Sequence, residues 1–281
     1  MRLSDAMREF LSGWQNDLPA AWREVLGPVS LGFDAISPDL DLEIWEPIFP
    51  IRRGQNFPGM PSGTHCLRAF DSPLPQDVRC VILGQDPYPE PGFATGRVFE
   101  AGNVADWCEL DKMFSKSIRA YTQLIVAART GDASFAGSFA NWPRTLAAIE
   151  NGSVNIELPG QIADRWVRSG ALLLNSSLTL TRFKVNVDPH QALGHLPLWK
   201  PLMLAALRVL AARNQPLAIL TFGDAANKVL DEAGIVDGSN PNLCIIRRQH
   251  PAFADEVLGE PNPFLLCNAF LNDRGETPVD W

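Results

Sequence analysis

Four short apolar runs, each closed by a turn or polar residue, constrain this chain more than any other feature. They are Val78-Arg-Cys-Val-Ile-Leu83, Ala171-Leu-Leu-Leu174, Leu217-Ala-Ile-Leu-Thr-Phe222 and Leu243-Cys-Ile-Ile246. Runs this short and without alternation suit strands covered on both faces, as in parallel sheets. The stretches between them have helical spacing. Residues 109–128 set Leu110, Met113, Ile118, Tyr121, Leu124 and Ile125 roughly along one helix face. Residues 197–213 are rich in Leu and Ala with Pro197 at the start, residues 224–233 follow Gly223 and stop at Gly234, and residues 263–272 make a last helix. Proline in a first turn and glycine after a last one are the expected helix punctuation. Strands alternating with helices predict an α/β chain of three layers, α/β/α, around a central four-stranded parallel sheet.

The chain has 281 residues, 46% apolar and 20% charged, enough apolar material for a sizeable core. We expect a single domain over 1–281, with a helical extension over about 1–45 and an insertion over about 127–160. Gly131, Gly137, Gly152 and Gly160 make much of that insertion loose, and residues 142–149 fit a short helix. No apolar run approaches the ~18 residues of a membrane helix. Residues 1–10 mix charged and apolar side chains and lack a signal peptide's continuous apolar stretch, so a cytoplasmic location is expected.

Cys66, Cys80, Cys108, Cys244 and Cys267 are odd in number, far apart and without a C-x-x-C spacing, which predicts buried free thiols. His65, His190, His195 and His250 include no H-E-x-x-H pair, so neither a metal nor another cofactor is expected. Phosphate-binding glycine loops and a G-x-S-x-G nucleophile turn are absent, which disfavours nucleotide hydrolysis, dinucleotide binding and α/β-hydrolase chemistry. A net charge of −8 argues against a protein that coats nucleic acid, but not against a compact basic footprint. Arg247 with Arg248, and Arg182 with Lys184, are candidates for one.

In an open parallel α/β sheet, ligands bind beyond the carboxyl ends of the strands. Gly84, Gln85, Asp86, Pro87 and Tyr88 follow the first run, Asn175 the second, Gly223 and Asp224 the third, and Arg247, Arg248, Gln249 and His250 the fourth. One edge would therefore collect a carboxylate, an amide and an imidazole. Polar residues end most strands, however, and each of these has an ordinary reading: Asp86 as a turn cap, Asn175 as an amide tying down a turn, His250 as a loop residue. The loop Asp86-Pro-Tyr-Pro-Glu-Pro-Gly92 is unusually stiff, and stiffness holds a working group in place at little entropic cost. Pro251 repeats the device after His250.

Gly84-Gln-Asp-Pro-Tyr88 resembles the water-activating motif of the classical uracil-DNA glycosylases. Phe99 falls at the spacing of that family's uracil-stacking phenylalanine, and Leu172-Leu-Leu-Asn175-Ser-Ser-Leu-Thr179 resembles the segment bearing its uracil-reading asparagine. His250-Pro251 sits where the family has its histidine-proline loop, and Arg274-Gly-Glu-Thr-Pro-Val-Asp-Trp281 is similar to the family's chain end. The matches keep their order from about residue 48 to residue 281.

The resemblance implies a monofunctional DNA repair enzyme that flips uracil out of single- or double-stranded DNA and hydrolyses its N-glycosidic bond. Nothing in the sequence requires more than a monomer, and no membrane partner is expected. Bond cleavage leaves positive charge on the sugar and negative charge on the base, as in glycoside hydrolysis generally. By resemblance Asp86 stabilises the sugar cation and handles water, while His250 donates to the uracil O2. Asn175 matches O4 and N3–H of uracil, Phe99 stacks on the extruded base, Tyr88 excludes a methyl at C5, and Gln85 adds contacts.

The chain departs from the family at the DNA-facing positions. Pro89 replaces a histidine beside the catalytic water, and the histidine loop continues Pro251-Ala252-Phe253-Ala254-Asp255-Glu256 where a serine and a wedging leucine are usual. Phe253 takes the wedge role in this reading, since apolar side chains inserted between bases hold a distorted duplex. Asp255 and Glu256 are expected to repel phosphate, while Lys112, Lys116, Ser115 and Ser117 supply phosphate contacts. Two alternatives stand beside this reading. One is a glycosylase of the same superfamily with another lesion preference; the other is a non-catalytic DNA-binding protein on the same fold.

Overall fold

The computed structural model describes residues 1–112, 116–182 and 188–281, with Lys112 described in its backbone alone. Met113 and Ser115 of the expected helix face and phosphate contacts, and Lys184 of the expected footprint, lie outside the described residues, as does the Lys112 side chain.

The apolar runs form strands β1 (Cys80–Gly84), β2 (Ala171–Asn175), β3 (Leu217–Phe222) and β4 (Leu243–Arg248). They make one sheet in the order β2-β1-β3-β4, with every pair parallel. Because side chains alternate along a strand, each run supplies both faces of the sheet. Val81, Leu83, Leu172, Leu174, Leu217 and Ile219 meet α1 (Leu3–Phe10), α2 (Ala20–Leu26), α6 (Leu196–Ala212) and α7 (Asp224–Glu232). Cys80, Ile82, Leu173, Leu220 and Phe222 meet α3 (Lys116–Thr130), α4 (Trp142–Glu150), α5 (Pro159–Arg168), α8 (Ala254–Gly259) and α9 (Pro263–Asp273). The result is the three-layer α/β/α arrangement expected from the sequence. The strands of the sheet centre are buried throughout, and burying each Val, Leu or Ile side chain is worth about 1.5–3 kcal/mol.

The structure differs from the sequence reading in three places. The helix expected over 109–128 is divided: a 3-10 segment covers Trp107–Lys112 and α3 begins at Lys116. Helix α5 rises at the end of the stretch read as loose; Pro159 opens it, and Ile162, Ala163, Trp166 and Val167 are its buried stripe. All five cysteines are free, but Cys108 is exposed and Cys244 half-buried, because the first lies in the 3-10 segment and the second on the edge strand β4. No helix among the described residues is long and apolar enough to cross a membrane.

Candidate active site

Parallel strands bring the four carboxyl ends to one edge, and hydrogen bonds beyond the strands set the loops there. The register places Gly84 beside Asn175. The Ser176 N–H donates to the Gly84 carbonyl at 2.9 Å, and its hydroxyl donates to the same oxygen at 2.7 Å. The Ser177 N–H donates to the Gln85 carbonyl at 2.9 Å, so the Asp86 loop and the turn after Asn175 are joined through backbone. Gly84 has no spare room: a Cβ there would stand 2.4 Å from Val98 Cγ2 and 3.0 Å from Asn175 Oδ1.

Asn175 is 3% exposed, and its Oδ1 is enclosed without a hydrogen-bond partner. A buried acceptor left unpaired costs about 1–3 kcal/mol, which a site built to receive an N–H donor would recover on binding. Asp86 shows the same asymmetry. Its Oδ2 accepts a hydrogen bond from Gln191 Nε2, while Oδ1 is enclosed without a partner. Burial pushes its carboxyl up to about 7, against the lowering influence of the Gln191 and Gln85 amides.

His250 lies on the loop after β4. Gly223, at φ +93, lets this loop come close, because a Cβ there would be 3.1 Å from His250 Cβ. The Ala252 N–H donates to His250 Nδ1 at 3.2 Å, so that nitrogen carries a lone pair and the neutral ring holds its proton on Nε2. Burial lowers the imidazole's pKa, which keeps it a neutral donor.

Aromatic rings line the α3 side. Phe99 has φ +55, a left-handed conformation rare for a non-glycine residue and costing on the order of 1 kcal/mol or more. Its ring stacks on Tyr121 at 4.3 Å and meets Phe222 edge-on at 5.2 Å. Tyr88 packs against the same cluster with its hydroxyl enclosed and unpartnered.

The rim differs from the sequence expectation. Arg247 pairs with Asp231 at 2.6 Å, and the buried Arg248 guanidinium is held by Glu260 at 3.2 Å and by the Pro261 carbonyl. Arg182 binds Glu46 and the Asp41 carbonyl. These guanidiniums each have local partners. Ser117 is buried in α3. Asp255 also has a task of its own: it accepts from the Ser138 hydroxyl at 2.9 Å and the Phe139 N–H at 2.8 Å, tying the loop after His250 to the 127–160 insertion. Lys116 and Arg119 lie over the Phe139 ring. Pro89, Ala252 and Phe253 are exposed, Phe253 at 59%, while Pro251 is buried.

Sequence reasoning missed Gln191. It sits 105 residues from Asp86 in a π-helical turn (Gln191–His195) leading into α6, and no local motif marks it. Tyr121, the ring behind Phe99, was visible only as one apolar position on a helix face.

A carboxylate, an amide with an unpartnered oxygen and a neutral imidazole at the carboxyl edge of a three-layer sheet, beside an aromatic wall, make up the arrangement of an α/β enzyme site. No family model matches the chain. Among curated proteins it is 30% identical to uracil-DNA glycosylase 1 of Streptomyces coelicolor over 267 residues, 93% of this chain and 94% of that one. It is also 30% identical to the uracil-DNA glycosylase of Mycobacterium tuberculosis over 231 residues, 79% and 80% of the two chains. The fold is shared with the crystal structure of wild-type UNG from Nitratifractor salsuginis, at a TM-score of 0.62 and 21% identity over 96% of this chain and 98% of that one. The mimivirus uracil-DNA glycosylase structure matches at a TM-score of 0.56 and 17% identity over 84% and 75%. The chain belongs to the uracil-DNA glycosylase family.

Proposed function

We propose that this protein removes uracil from DNA by hydrolysing the bond between the base and deoxyribose, leaving an abasic site. The observation that carries the reading is the placement of two enclosed, unpartnered acceptors, Asn175 Oδ1 and Asp86 Oδ1, at the edge that also holds the neutral His250. The base must first leave the duplex stack, because its sugar bond is out of reach within it. Asn175 then accepts from N3–H and donates to O4, a pattern that cytosine reverses. Phe99 stacks on the base, Tyr88 fills the space that a C5 methyl would need, and Gln85 lines the pocket.

As the C1′–N1 bond breaks, its electron pair leaves with the base, and the negative charge gathers on O2. His250 Nε2–H donates to that oxygen, and one such donor is worth a factor of about 10²–10³. Ionised Asp86 stabilises the sugar cation and takes a proton from the water that adds to C1′. Because the carboxyl is pushed up to about 7, activity should rise with pH through that value. His250 is already neutral there, its own pKa being lowered by burial.

On the rim, Phe253 is the wedge, with Pro89, Pro251 and Ala252 shaping the surface around it. We read residues 1–281 as one functional unit acting in the cytoplasm as a monomer on single- or double-stranded DNA. A strand-cleavage assay on uracil-containing oligonucleotides of both kinds, with alkali treatment after incubation, tests this reading. Alkali-labile sites should appear at uracil with the native protein and not with Asp86→Asn. Equal cleavage by the two, or none by either, would refute the reading.

A further inference from the structure

Gln191 is 4% exposed and directs its side-chain amide at Asp86 Oδ2. Only its N–H can face a carboxylate favourably, so the amide has one productive orientation. The turn that carries it is held by a one-way chain of buried hydrogen bonds. Trp199 Nε1, which can only donate, gives its proton to Thr179 Oγ1 at 2.7 Å. That hydroxyl must then donate onward to His195 Nδ1, 2.9 Å away. The remaining N–H of His195 meets Thr181 Oγ1 at 3.2 Å, and Thr181 in turn lies 2.9 Å from His190 Nδ1. His190 closes the chain on the backbone carbonyl of Asp41. The chain needs both histidines neutral, and burial lowers the pKa of both, His195 to about 3. Thr179 and Thr181 belong to the segment that leaves β2 just after Asn175, and Leu180 between them pairs with Phe49 through backbone bonds of 2.9 and 2.7 Å. The support under Gln191 is thus built from the same strand exit that presents Asn175.

We propose that Gln191 is a positioning residue of the excision reaction: it holds one oxygen of Asp86 and so turns the other, unpartnered oxygen toward the sugar and the attacking water. The inference rests on the uracil-excision reading and adds to it a contact from a distant segment. The amide also favours the ionised carboxylate, since it donates to the charged form. Other titratable groups around the turn are His195 on it, His190 and Asp188 just before it, and Glu46 with Arg182 beside His190. The influences acting on the Asp86 carboxyl itself are burial and the neutral amides of Gln191 and Gln85.

The experiment compares native protein, Gln191→Ala, Gln191→Glu and Asp86→Asn in single-turnover excision from a single-stranded uracil oligonucleotide, from about pH 5.5 to about pH 9. Loss of the donor should lower the maximal rate about 10- to 100-fold, the range typical of residues that orient a catalytic group, with half-saturation changed less than about twofold. The acid limb should move to higher pH in Gln191→Ala and further in Gln191→Glu, which keeps the length but adds negative charge. A carbon-13 titration of the Asp86 carboxyl gives the same shift independently of activity. Thermal unfolding shows whether each variant is folded, and if the alanine variant is not, the glutamate variant decides. Native rate, native acid limb and native Asp86 titration in a folded Gln191 variant, with Asp86→Asn inactive, would overturn the proposal alone. An inactive native protein, or an active Asp86→Asn, would instead remove the excision reading and the proposal with it.

Discussion

The floor of the candidate site and its rim are built differently. On the floor, Asp86 and Asn175 are set by backbone: paired parallel strands, the Ser176 and Ser177 bonds across the two loops, and a glycine at position 84 that tolerates no Cβ. Each leaves one oxygen enclosed and without a partner. On the rim, Phe253 is 59% exposed, and the nearby charges are tied to each other or to the insertion, as Asp255 is to Ser138 and Phe139. A floor whose parts are over-determined holds reacting groups to fractions of an ångström, and that is where catalysis is sensitive. A rim of exposed side chains sets how the duplex is gripped, and it tolerates exchange at modest cost. Of the departures from the family pattern, Pro89, Ala252 and Phe253 lie on the rim side of this division, while Ala254 is buried.

The comparison is tested most severely at Asp86. Asp86→Asn should cut the excision rate about 10³-fold or more, within the range of a positioned acid–base group, when single-turnover product is measured. The same variant should be more stable at alkaline pH. With a folded-state pKa raised to about 7, the stability due to the protonated carboxyl is present below the ordinary carboxylate range and lost as pH rises through 7. Removing the charge should therefore raise Tm at pH 8 by the equivalent of about 1–2 kcal/mol after screening at a half-buried loop, and leave it unchanged at pH 4. Equal Tm shifts at both pH values would mean that Asp86 is not held in a low-dielectric site.

A second floor test is His250→Gln, expected to slow excision about 10²–10³-fold with little change in duplex affinity measured by fluorescence anisotropy. Asn175→Asp should then lower the preference for uracil over cytosine about 10²-fold, read from parallel assays on matched oligonucleotides, because the substituted oxygen no longer donates to O4. The smallest effect belongs to the rim. Phe253→Ala should weaken excision from duplex DNA about tenfold or less and leave single-stranded DNA almost untouched, since only the duplex needs a wedge. A large loss on single strands would place Phe253 with the floor and break the division. The native loop should also resist protein inhibitors that mimic DNA by gripping the wedge, as an inhibition titration would show.

Much of the floor could be read from local sequence. A buried parallel strand is a short apolar run, and the residues after it lie at the sheet's edge, which put Asp86, Asn175 and His250 there; it was the resemblance of their surrounding motifs that set them apart from ordinary strand-end polar residues. Helix α5 was harder to read, because its glycine-containing start hides a stripe that becomes visible only from Ile162 onward. The partners of the arginines were hidden for a different reason. The sequence offered Arg247 with Arg248, and Arg182 with Lys184, as candidate phosphate contacts, but it could not show that Arg182, Arg247 and Arg248 each fold against a carboxylate.

By itself, then, the sequence determined the layered sheet and the chemical types gathered at its edge, because strand periodicity and loop stiffness are local properties of the chain. Only the tertiary structure decided the state of those groups. It placed Gln191 against Asp86 across 105 residues, fixed the His250 tautomer through the Ala252 N–H, and closed the basic residues into ion pairs. Hydrogen bonding and desolvation act through space between segments that are remote in the chain, so protonation and orientation follow from packing.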